Sequence, residues 1–358
     1  MGIKGSEKHV FLGSNTPAGF YSYYSYLAPL SSAKRIYCIK GGPGTGKSSF
    51  MKKIAAEAVT RGHDVEIMHC SSDPNSLDGV VIKPCNIAFV DGTSPHIVDP
   101  KAPGAVDEIL NFGGCWDKKG MQEHREDIIR TNARISCYFQ RAYAYLAAAQ
   151  TIWKDIRHIQ AEAVGKTVHA SFLENVTFQE FAELPIAEVP GKERNLFASA
   201  ITPKGVVNYL DTIALGYKTY VLKGYTGGVV EEIAQTAVRR GFDVEKYHCS
   251  FDPAGPCEHL LVPKLNLAVV TSNQYHRYDN GELVDFGDFV SKYTLERYRD
   301  ALAFDQQVCD MLLERAVVTI AKAKEYHDEL EKFYIPNMDF DKIDSLYEKT
   351  LKEVLAML

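Results

Sequence analysis

A glycine-rich stretch followed by a lysine and a serine carries the most specific chemistry in the sequence. Its residues are Gly41-Gly42-Pro43-Gly44-Thr45-Gly46-Lys47-Ser48, with Ser49 directly after them. Glycine lets a backbone curl with positive φ, so that successive N–H groups can point at one anion. Lys47 is placed to reach the outer phosphates of a polyphosphate, and the Ser48 hydroxyl is placed to hold Mg²⁺. The sequence therefore predicts a phosphate-binding site that includes all of these residues.

The residues on either side predict the strand and the helix that such a site requires. Residues 36 to 40 have the pattern of a short buried strand, and residues 47 to 61 place apolar side chains at helical spacing before Gly62. A helix that begins at the loop adds the partial positive charge of its N-terminus. This strand, glycine loop and helix resemble the P-loop of nucleoside triphosphatases. The resemblance implies an α/β fold and nucleotide binding, but not a particular reaction.

An acidic residue is expected at the same edge of the sheet. Residues 86 to 91 have the pattern of a strand that ends in Asp91. In proteins with a P-loop, an acid at such a strand end helps to hold Mg²⁺. Asp91 is therefore the predicted partner of Ser48 in metal binding and, with Lys47, a predicted catalytic residue. His96, in the following loop, is a third catalytic candidate, as a general base or as the residue that positions the attacking water.

The chain is a tandem duplication, since two hexapeptides recur 179 residues later. Arg61-Gly62-His63-Asp64-Val65-Glu66 returns as Arg240-Gly241-Phe242-Asp243-Val244-Glu245, and His69-Cys70-Ser71-Ser72-Asp73-Pro74 returns as His248-Cys249-Ser250-Phe251-Asp252-Pro253. Pro185, Pro190 and Gly191 indicate the join. We therefore predict one domain over residues 1–186, the first copy, and another over residues 187–358, the second copy.

The second copy departs from the first where the phosphates would bind. After the strand that ends in Lys223 it reads Gly224-Tyr225-Thr226-Gly227-Gly228-Val229-Val230, so that the Gly-Lys-Ser end is missing. Thr271 also stands where the first copy has Asp91. Because the lysine, the hydroxyl and the acid are lost together, we predict that the first copy is active. The second copy then has a regulatory or structural role.

Each copy also contains a long helix with a heptad seam. The seam residues of the first copy are Ile128, Ile135, Phe139, Ala142, Leu146, Ala149, Trp153 and Ile156; those of the second copy are Leu302, Cys309, Leu313, Ala316, Ile320, Ala323, His327 and Leu330. These helices are expected to pack either on each other or on a partner chain, which leaves a homo-oligomer open. The predicted fold is thus α/β, with two tandem P-loop-like domains, mainly parallel sheets, and a long helix after each.

Composition excludes some classes of function. The 358 residues are 46% hydrophobic and 24% charged, with a net charge of −6, so no basic field favours nucleic acid or an anionic membrane. No run of 18 apolar residues is present, and no membrane span is expected. Eight cysteines without C-x-x-C spacing indicate packed, reduced thiols and a cytoplasmic protein.

Two further groups of residues have alternative interpretations. The recurring His69-Cys70 pair is either part of a metal or substrate site at the sheet edge or a packed structural pair, and structure is favoured for Cys70. Arg130, Arg134 and Arg141 lie on one stripe of the long helix. That stripe is either an arginine-bearing lid or, as we favour, a solvated polar face.

The whole pattern resembles a bacterial family of tandem P-loop ATPase-like proteins. The motifs that carry the resemblance are Thr16-Pro17-Ala18-Gly19, the glycine loop, His69-Cys70-Ser71-Ser72-Asp73-Pro74 and Asp91-Gly92-Thr93-Ser94-Pro95-His96. The expected function is that of a Mg²⁺-dependent ATPase with ATP as nucleotide, because no N-K-x-D segment for guanine is present. Two alternatives remain: a kinase acting on a small molecule or nucleotide, and a non-catalytic nucleotide-sensing scaffold with a protein partner.

Overall fold

The strand and the helix predicted around the glycine loop are both present. In the computed structural model, which describes residues 4–94, 97–164, 166–182 and 184–358, the strand Arg35–Lys40 precedes the loop and the helix Lys47–Thr60 follows it. The strand is buried at its four central residues, and the helix buries Phe50, Met51 and Ile54. The apolar spacing of the sequence is thus the spacing of the buried face.

The first copy contains eight strands and four α-helices among its described residues. They are β1 (Glu7–Phe11), β2 (Gly13–Thr16), β3 (Gly19–Ser22), β4 (Arg35–Lys40), α1 (Lys47–Thr60), β5 (Val65–His69), β6 (Leu77–Ile82), β7 (Ile87–Asp91), β8 (Asp107–Asn111), α2 (Lys118–Glu123), α3 (Arg125–Val164) and α4 (Lys166–Phe181).

The second copy repeats this order, except that its described residues include a short extra helix, α5, and no counterpart of α2. Its elements are β9 (Glu193–Leu196), β10 (Ser199–Thr202), β11 (Gly205–Asn208), α5 (Leu210–Ile213), β12 (Lys218–Lys223), α6 (Val229–Arg239), β13 (Val244–Tyr247), β14 (His259–Val262), β15 (Leu267–Thr271), β16 (Glu282–Asp285), α7 (Lys292–Tyr334) and α8 (Phe340–Met357).

The chain forms two units, and neither is continuous in sequence. Unit 1 comprises residues 1–14, 22–141 and 318–358, and unit 2 comprises residues 15–21 and 142–317. The predicted boundary at residues 186 and 187 separates the two sequence copies, whereas the units combine parts of both. The last part of α7 and all of α8 therefore belong to unit 1, and the second half of α3 and all of α4 belong to unit 2.

Unit 1 is built on a mixed six-stranded sheet in the order β1-β5-β6-β7-β4-β8. Three neighbouring pairs are parallel, and β6 runs antiparallel to both β5 and β7. Strand β6 is not predicted from the sequence, since Asp78 and Gly79 within it have low strand propensity. All six of its residues are nevertheless buried. The predicted α/β class is confirmed, with sheets that are mostly parallel and contain this antiparallel strand.

Unit 2 has the same sheet topology in the order β16-β12-β15-β14-β13-β9. Its β14 is antiparallel to both neighbours, as β6 is in unit 1. The strand before each loop lies beside the same partner in both units, with Ile39 opposite Asp91 and Leu222 opposite Thr271. The repeated topology agrees with the duplication found in the sequence.

A helix of the other sequence copy joins the core of each sheet. In unit 1, Ile343 and Val354 of α8 join the core formed by α1 and the strands. In unit 2, Phe172, Val176 and Phe181 of α4 join the core beneath α6. Each core thus combines a helix of its own sequence copy, α1 or α6, with a helix of the other copy, α8 or α4.

The two long helices bury their predicted seams. Helix α3 has 40 residues and α7 has 43, and the following seam residues are buried: Ala142, Leu146, Ala149, Ile156, Cys309, Leu313, Ala316, Ile320, Ala323 and Leu330. In unit 1, Tyr138 stacks on Tyr326 with ring centroids 5.3 Å apart. In unit 2, the Cys309 thiol donates to the Ala149 carbonyl. The helices therefore pack on each other, while a homo-oligomer stays a prediction. Within the described ranges, no helix combines the length and hydropathy needed to cross a membrane.

The exchange of covering helices can be tested with two phenylalanines of α4. Phe181 is 1% exposed in the core of unit 2, and Phe178, three residues earlier, is 73% exposed. We expect Phe181→Ala to lower the free energy of unfolding by about 3–5 kcal/mol because it leaves a cavity. Phe178→Ala should change it by less than about 0.5 kcal/mol. Urea unfolding followed by circular dichroism measures both, and equal effects would contradict the assigned core.

Candidate functional site

The glycine loop, residues 41–48, curls back on itself before α1 begins. Gly44 has φ of 65° and Gly46 has φ of 89°, in the left-handed region where a side chain would be strained. Gly46 is the N-cap of α1, and its carbonyl accepts from the Phe50 amide at 2.9 Å. The Thr45 hydroxyl donates to the Gly42 carbonyl at 2.8 Å and closes the turn. The predicted curl of the loop is thus present.

The ammonium group of Lys47 lies on the loop itself. Its Nζ donates to the carbonyl oxygens of Gly41 and Gly42, both at 2.7 Å. The same atom is 3.4 Å from Oδ2 of Asp91, and the two side chains are only 11% and 15% exposed. Burial from solvent strengthens their attraction relative to a surface pair. The structure thus brings together two of the three predicted catalytic residues, and His96 lies outside the described residues.

Hydrogen bonds from Thr93 and Leu77 fix the positions of the oxygen atoms that are predicted to bind the metal. The Thr93 amide donates to Oδ1 of Asp91 at 2.9 Å, and the Thr93 hydroxyl donates to the Gly41 carbonyl at 2.8 Å. The Ser48 hydroxyl oxygen accepts from the Leu77 amide at 3.0 Å, so that β6 orients it. A hydroxyl and a carboxylate are ligands suited to a hard cation such as Mg²⁺. The chemistry of this donor set therefore fits the predicted metal.

The end of α7 lies against the loop and was not predicted to do so. A Cβ on Gly42 would overlap the Tyr334 ring, and a Cβ on Gly44 would lie 2.9 Å from Ile335 and 3.2 Å from the Glu331 side chain. The Gly44 amide also interacts with the Glu331 carboxylate. Burial raises the pKa of Glu331, although the positive charge of Lys324 opposes the effect. An acidic side chain thus faces an amide that was assigned to phosphate.

Two more groups of α7 stand beside this carboxylate. Nζ of Lys324 is 3.5 Å from Oδ2 of Asp73, in the turn after β5, and it also pairs with Asp328. Nδ1 of His327 is 3.6 Å from Oε1 of Glu331 and is buried without a hydrogen-bond partner among the described residues. Burial, together with the nearby charges of Lys324 and Lys47, lowers the pKa of His327. The loop is therefore faced by a group of charged and titratable side chains.

A signal for these residues was present in the sequence. His327 is a polar residue within the apolar seam of α7, and Trp153 occupies the same seam position in the first copy. A polar residue at a position that the apolar pattern assigns to the core often belongs to a functional site. Nothing in the sequence indicated that α7 of the second copy would meet the loop of the first.

The loop of unit 2 keeps its glycine cap but not its polar groups. Gly228 has φ of 84° and caps α6 as Gly46 caps α1. Val229 and Val230, both buried, follow it in the positions of Lys47 and Ser48. The prediction that the whole Gly-Lys-Ser end is missing is therefore corrected at the glycine alone. Gly228 is kept at the cap, valines replace the lysine and the serine, and α6 has 11 residues where α1 has 14.

An imidazole occupies the space above the unit 2 loop. The His169 ring lies 2.7 Å from the position of a Cβ on Gly227, and its Nε2 is 2.7 Å from the Tyr225 carbonyl oxygen. His169 belongs to α4, which packs on this unit. The side chains that surround the loop of unit 2 thus differ in chemistry from those that surround the loop of unit 1.

The recurring histidines of the His-Cys pairs hold turns. Nδ1 of His69 lies 2.9 Å from the Pro74 carbonyl oxygen, and its Nε2 lies 2.8 Å from Nδ1 of His9. His248 makes the matching contact with the Gly255 carbonyl at 3.1 Å. Burial raises the pKa of the Cys70 thiol well above its usual range. These contacts favour the structural interpretation for both residues of the pair.

The arginine stripe of α3 has surface partners. Arg130 is exposed and pairs with Asp127 one turn earlier, and the Arg134 guanidinium lies 5.6 Å from the centre of the Tyr326 ring. Neither contact involves the glycine loop. They agree with the solvated face that we favoured over a lid.

One group of metal-type side chains lies in unit 2, where His276 is the counterpart of His96. Ligand atoms of Glu258, His259 and His276 lie within 4.8 Å of one another. The Thr271 amide donates to Nδ1 of His259 at 3.1 Å, which leaves the proton of a neutral ring on Nε2. A metal-binding histidine usually has the opposite arrangement, with its second nitrogen donating. Hydrogen bonding within the fold therefore accounts for this group.

The buried His69 predicts a pH dependence of stability. Burial lowers its pKa to about 4 from an ordinary value of 6.5. The folded state therefore resists protonation of His69, and stability present above pH 6.5 is lost as the pH falls toward 4. In His69→Gln, the free energy of unfolding should therefore fall less between pH 7 and pH 4 than it does in the wild type. The difference is expected to be up to about 3 kcal/mol.

Urea unfolding between pH 7 and pH 4 measures that loss, with His158→Gln on the exposed face of α3 as the control. A pH dependence of His69→Gln identical to that of the control would contradict the assignment.

Comparison with known proteins adds no assignment to this geometry. No protein-family model matches the chain, and neither a curated protein nor a solved structure matches it. The interpretation of the site therefore depends on the residues around the glycine loop, on their distances and on their charges.

Proposed function

We propose that unit 1 binds ATP with Mg²⁺ at the glycine loop and hydrolyses it. The observation that carries the proposal is the meeting of three groups at one place. A loop curled by left-handed glycines, the ammonium of Lys47 and the carboxylate of Asp91 lie together, with 3.4 Å between the last two. Backbone amides, one cation and one acid are the groups that a magnesium-bound triphosphate requires.

The chain's own residues have distinct roles in this proposal. The amides of Gly44 to Ser48 would bind phosphate oxygens at the positive end of α1, and the rest of the stretch from Gly41 to Ser49 shapes the cradle. Lys47 would leave the carbonyls of Gly41 and Gly42 for the outer phosphates. This exchange is favoured because a phosphate oxygen carries negative charge and attracts the ammonium more strongly than a neutral carbonyl oxygen does.

Ser48 and Asp91 would hold the metal, Ser48 from α1 and Asp91 from the end of β7. Mg²⁺ held by these two residues would supply positive charge against the phosphate oxygens. Asp91 would then change partner, since its Oδ2 now faces Lys47. His96 remains the proposed general base or water-positioning residue.

The second copy would contribute without binding Mg-ATP itself. Its loop presents Val229 and Val230 where the first has Lys47 and Ser48, and the imidazole of His169 lies above it. Two valine side chains carry no charge that could bind a triphosphate and no oxygen that could bind its metal ion. This supports a regulatory or structural role for the second copy.

Substitution of Lys47 tests the proposal. Lys47→Ala should weaken Mg-ATP binding by at least about tenfold, since it removes the only charged donor of the proposed loop contacts. Lys53→Ala, at an exposed position two turns further along α1, should bind like the wild type. Isothermal titration calorimetry measures both. An unchanged affinity for Lys47→Ala would reject nucleotide binding at this loop.

Incubation with γ-labelled ATP and Mg²⁺, with and without a metabolite pool, then distinguishes the reactions. Free labelled phosphate supports hydrolysis, and a labelled metabolite would support the kinase instead. Binding without turnover would support the nucleotide-sensing scaffold.

A further inference from the structure

The last turns of α7 pack closely against the glycine loop. At two positions of the loop, 42 and 44, this contact leaves no room for a side chain. A side chain at position 42 would overlap Tyr334, and one at position 44 would meet Ile335 and Glu331. All of these residues belong to unit 1, although α7 is a helix of the second sequence copy. The wall that faces the proposed phosphate site is therefore supplied by the other half of the duplication.

One of the side chains that contact the loop at Gly44 is acidic. Glu331 packs against Gly44 and interacts with its N–H group, which is one of the donors proposed for phosphate. Backbone amides at the start of a helix attract carboxylates and phosphates for the same electrostatic reason. Glu331 thus occupies, with a charge of one, a position where a more highly charged group would be bound more strongly.

His327 lies beside this carboxylate, with its Nδ1 3.6 Å from Oε1 of Glu331, and the charge of Lys324 acts on the same carboxylate. Lys324 is shared between Asp73 and Asp328, and His327 has a buried Nδ1 without a hydrogen-bond partner among the described residues. A buried nitrogen without a partner is uncommon in folded proteins, and the His327 side chain as a whole is 42% exposed. A phosphate that replaced Glu331 would lie within the same group of side chains and would offer oxygens to both.

Unit 2 provides an internal comparison. The positions of α3 that correspond to Lys324, His327 and Glu331, each 174 residues earlier, are Gln150, Trp153 and Arg157. Gln150 donates to the Phe251 carbonyl, and Arg157 lies over the rings of Trp153 and Tyr225. The facing helix thus has its lysine, histidine and glutamate only where the loop has Lys47 and Ser48. Packing alone would not require this correspondence.

We propose that Lys324 and His327 are phosphate-binding residues of the unit 1 site, and that Glu331 holds the Gly44 amide until a nucleotide phosphate displaces it. The inference depends on the proposed function, because it names further residues of the same site. On nucleotide binding, a phosphate would therefore replace the Glu331 carboxylate at the Gly44 amide. The second copy would sense the nucleotide bound to the first through its own helix.

Two substitutions with opposite expected effects test this inference. Glu331→Gln keeps the size of the side chain and removes the competing charge, so the affinity for Mg-ATP should rise at least about threefold. Lys324→Gln introduces the residue of the other copy, and the affinity should fall about tenfold or more because a charged phosphate contact is lost. Calorimetric titration with Mg-ATP gives both values.

The matched controls are Glu329→Gln and Lys322→Ala, at exposed positions of the same helix, and both should bind as the wild type does. A merely structural role for the end of α7 would weaken binding in both test variants or in neither, and either result would overturn the inference.

The outcome for Lys47→Ala separates this inference from the proposed function. If Lys47→Ala loses nucleotide while Glu331→Gln and Lys324→Gln match their controls, the inference is wrong and the proposed site stands. If Lys47→Ala retains full affinity, the proposed function and this inference are both wrong. Thermal unfolding by circular dichroism, run on each variant, confirms that the compared proteins are folded.

Discussion

The account depends on one buried electrostatic arrangement, in which the Lys47 ammonium bridges the carbonyls of its own loop and the carboxylate of Asp91. The two residues come from neighbouring parallel strands, β4 through its loop and β7 through its last residue. Parallel strands end at the same edge of a sheet, which is where α/β proteins place ligands. Without this register the lysine and the acid would not share a site, and the loop would be only a turn.

Duplication adds a second constraint. Because the covering helices are exchanged, unit 1 needs the end of the chain for its core and for the wall of its site. The two copies have consequently diverged in a coordinated way. One loop retains a lysine and a hydroxyl and is faced by charged side chains, whereas the other has two valines and is faced by His169 and Arg157. A physical link between the copies makes such joint divergence understandable.

Local features of the structure could be predicted from the sequence, because they depend on neighbouring residues. The curl of the glycine loop, the start of α1 at Lys47, the strand that ends in Asp91 and the buried seams all follow from residue type and spacing. The duplication also indicated that the sheets would share one topology. The roles of these residues in nucleotide binding stay predictions.

Features that depend on distant contacts could not be predicted. Strand β6 contains an aspartate and a glycine, and its burial between β5 and β7 overrides their low strand propensity. The placement of α8 on the first sheet and of Glu331 on Gly44 joins segments almost three hundred residues apart in sequence. The spacing of apolar residues within a helix or strand does not indicate contacts between such distant segments. The sequence spacing also hides the glycine cap of the second loop, because α6 is shorter than α1.

The most direct measurement is the number of Mg-ATP molecules bound per chain, determined by calorimetric titration of the wild-type protein. The account predicts one equivalent, because only the loop of unit 1 has a lysine, a hydroxyl and an acid for a triphosphate and its metal. Two equivalents would contradict the distinction between the loops, and no binding would contradict the site itself.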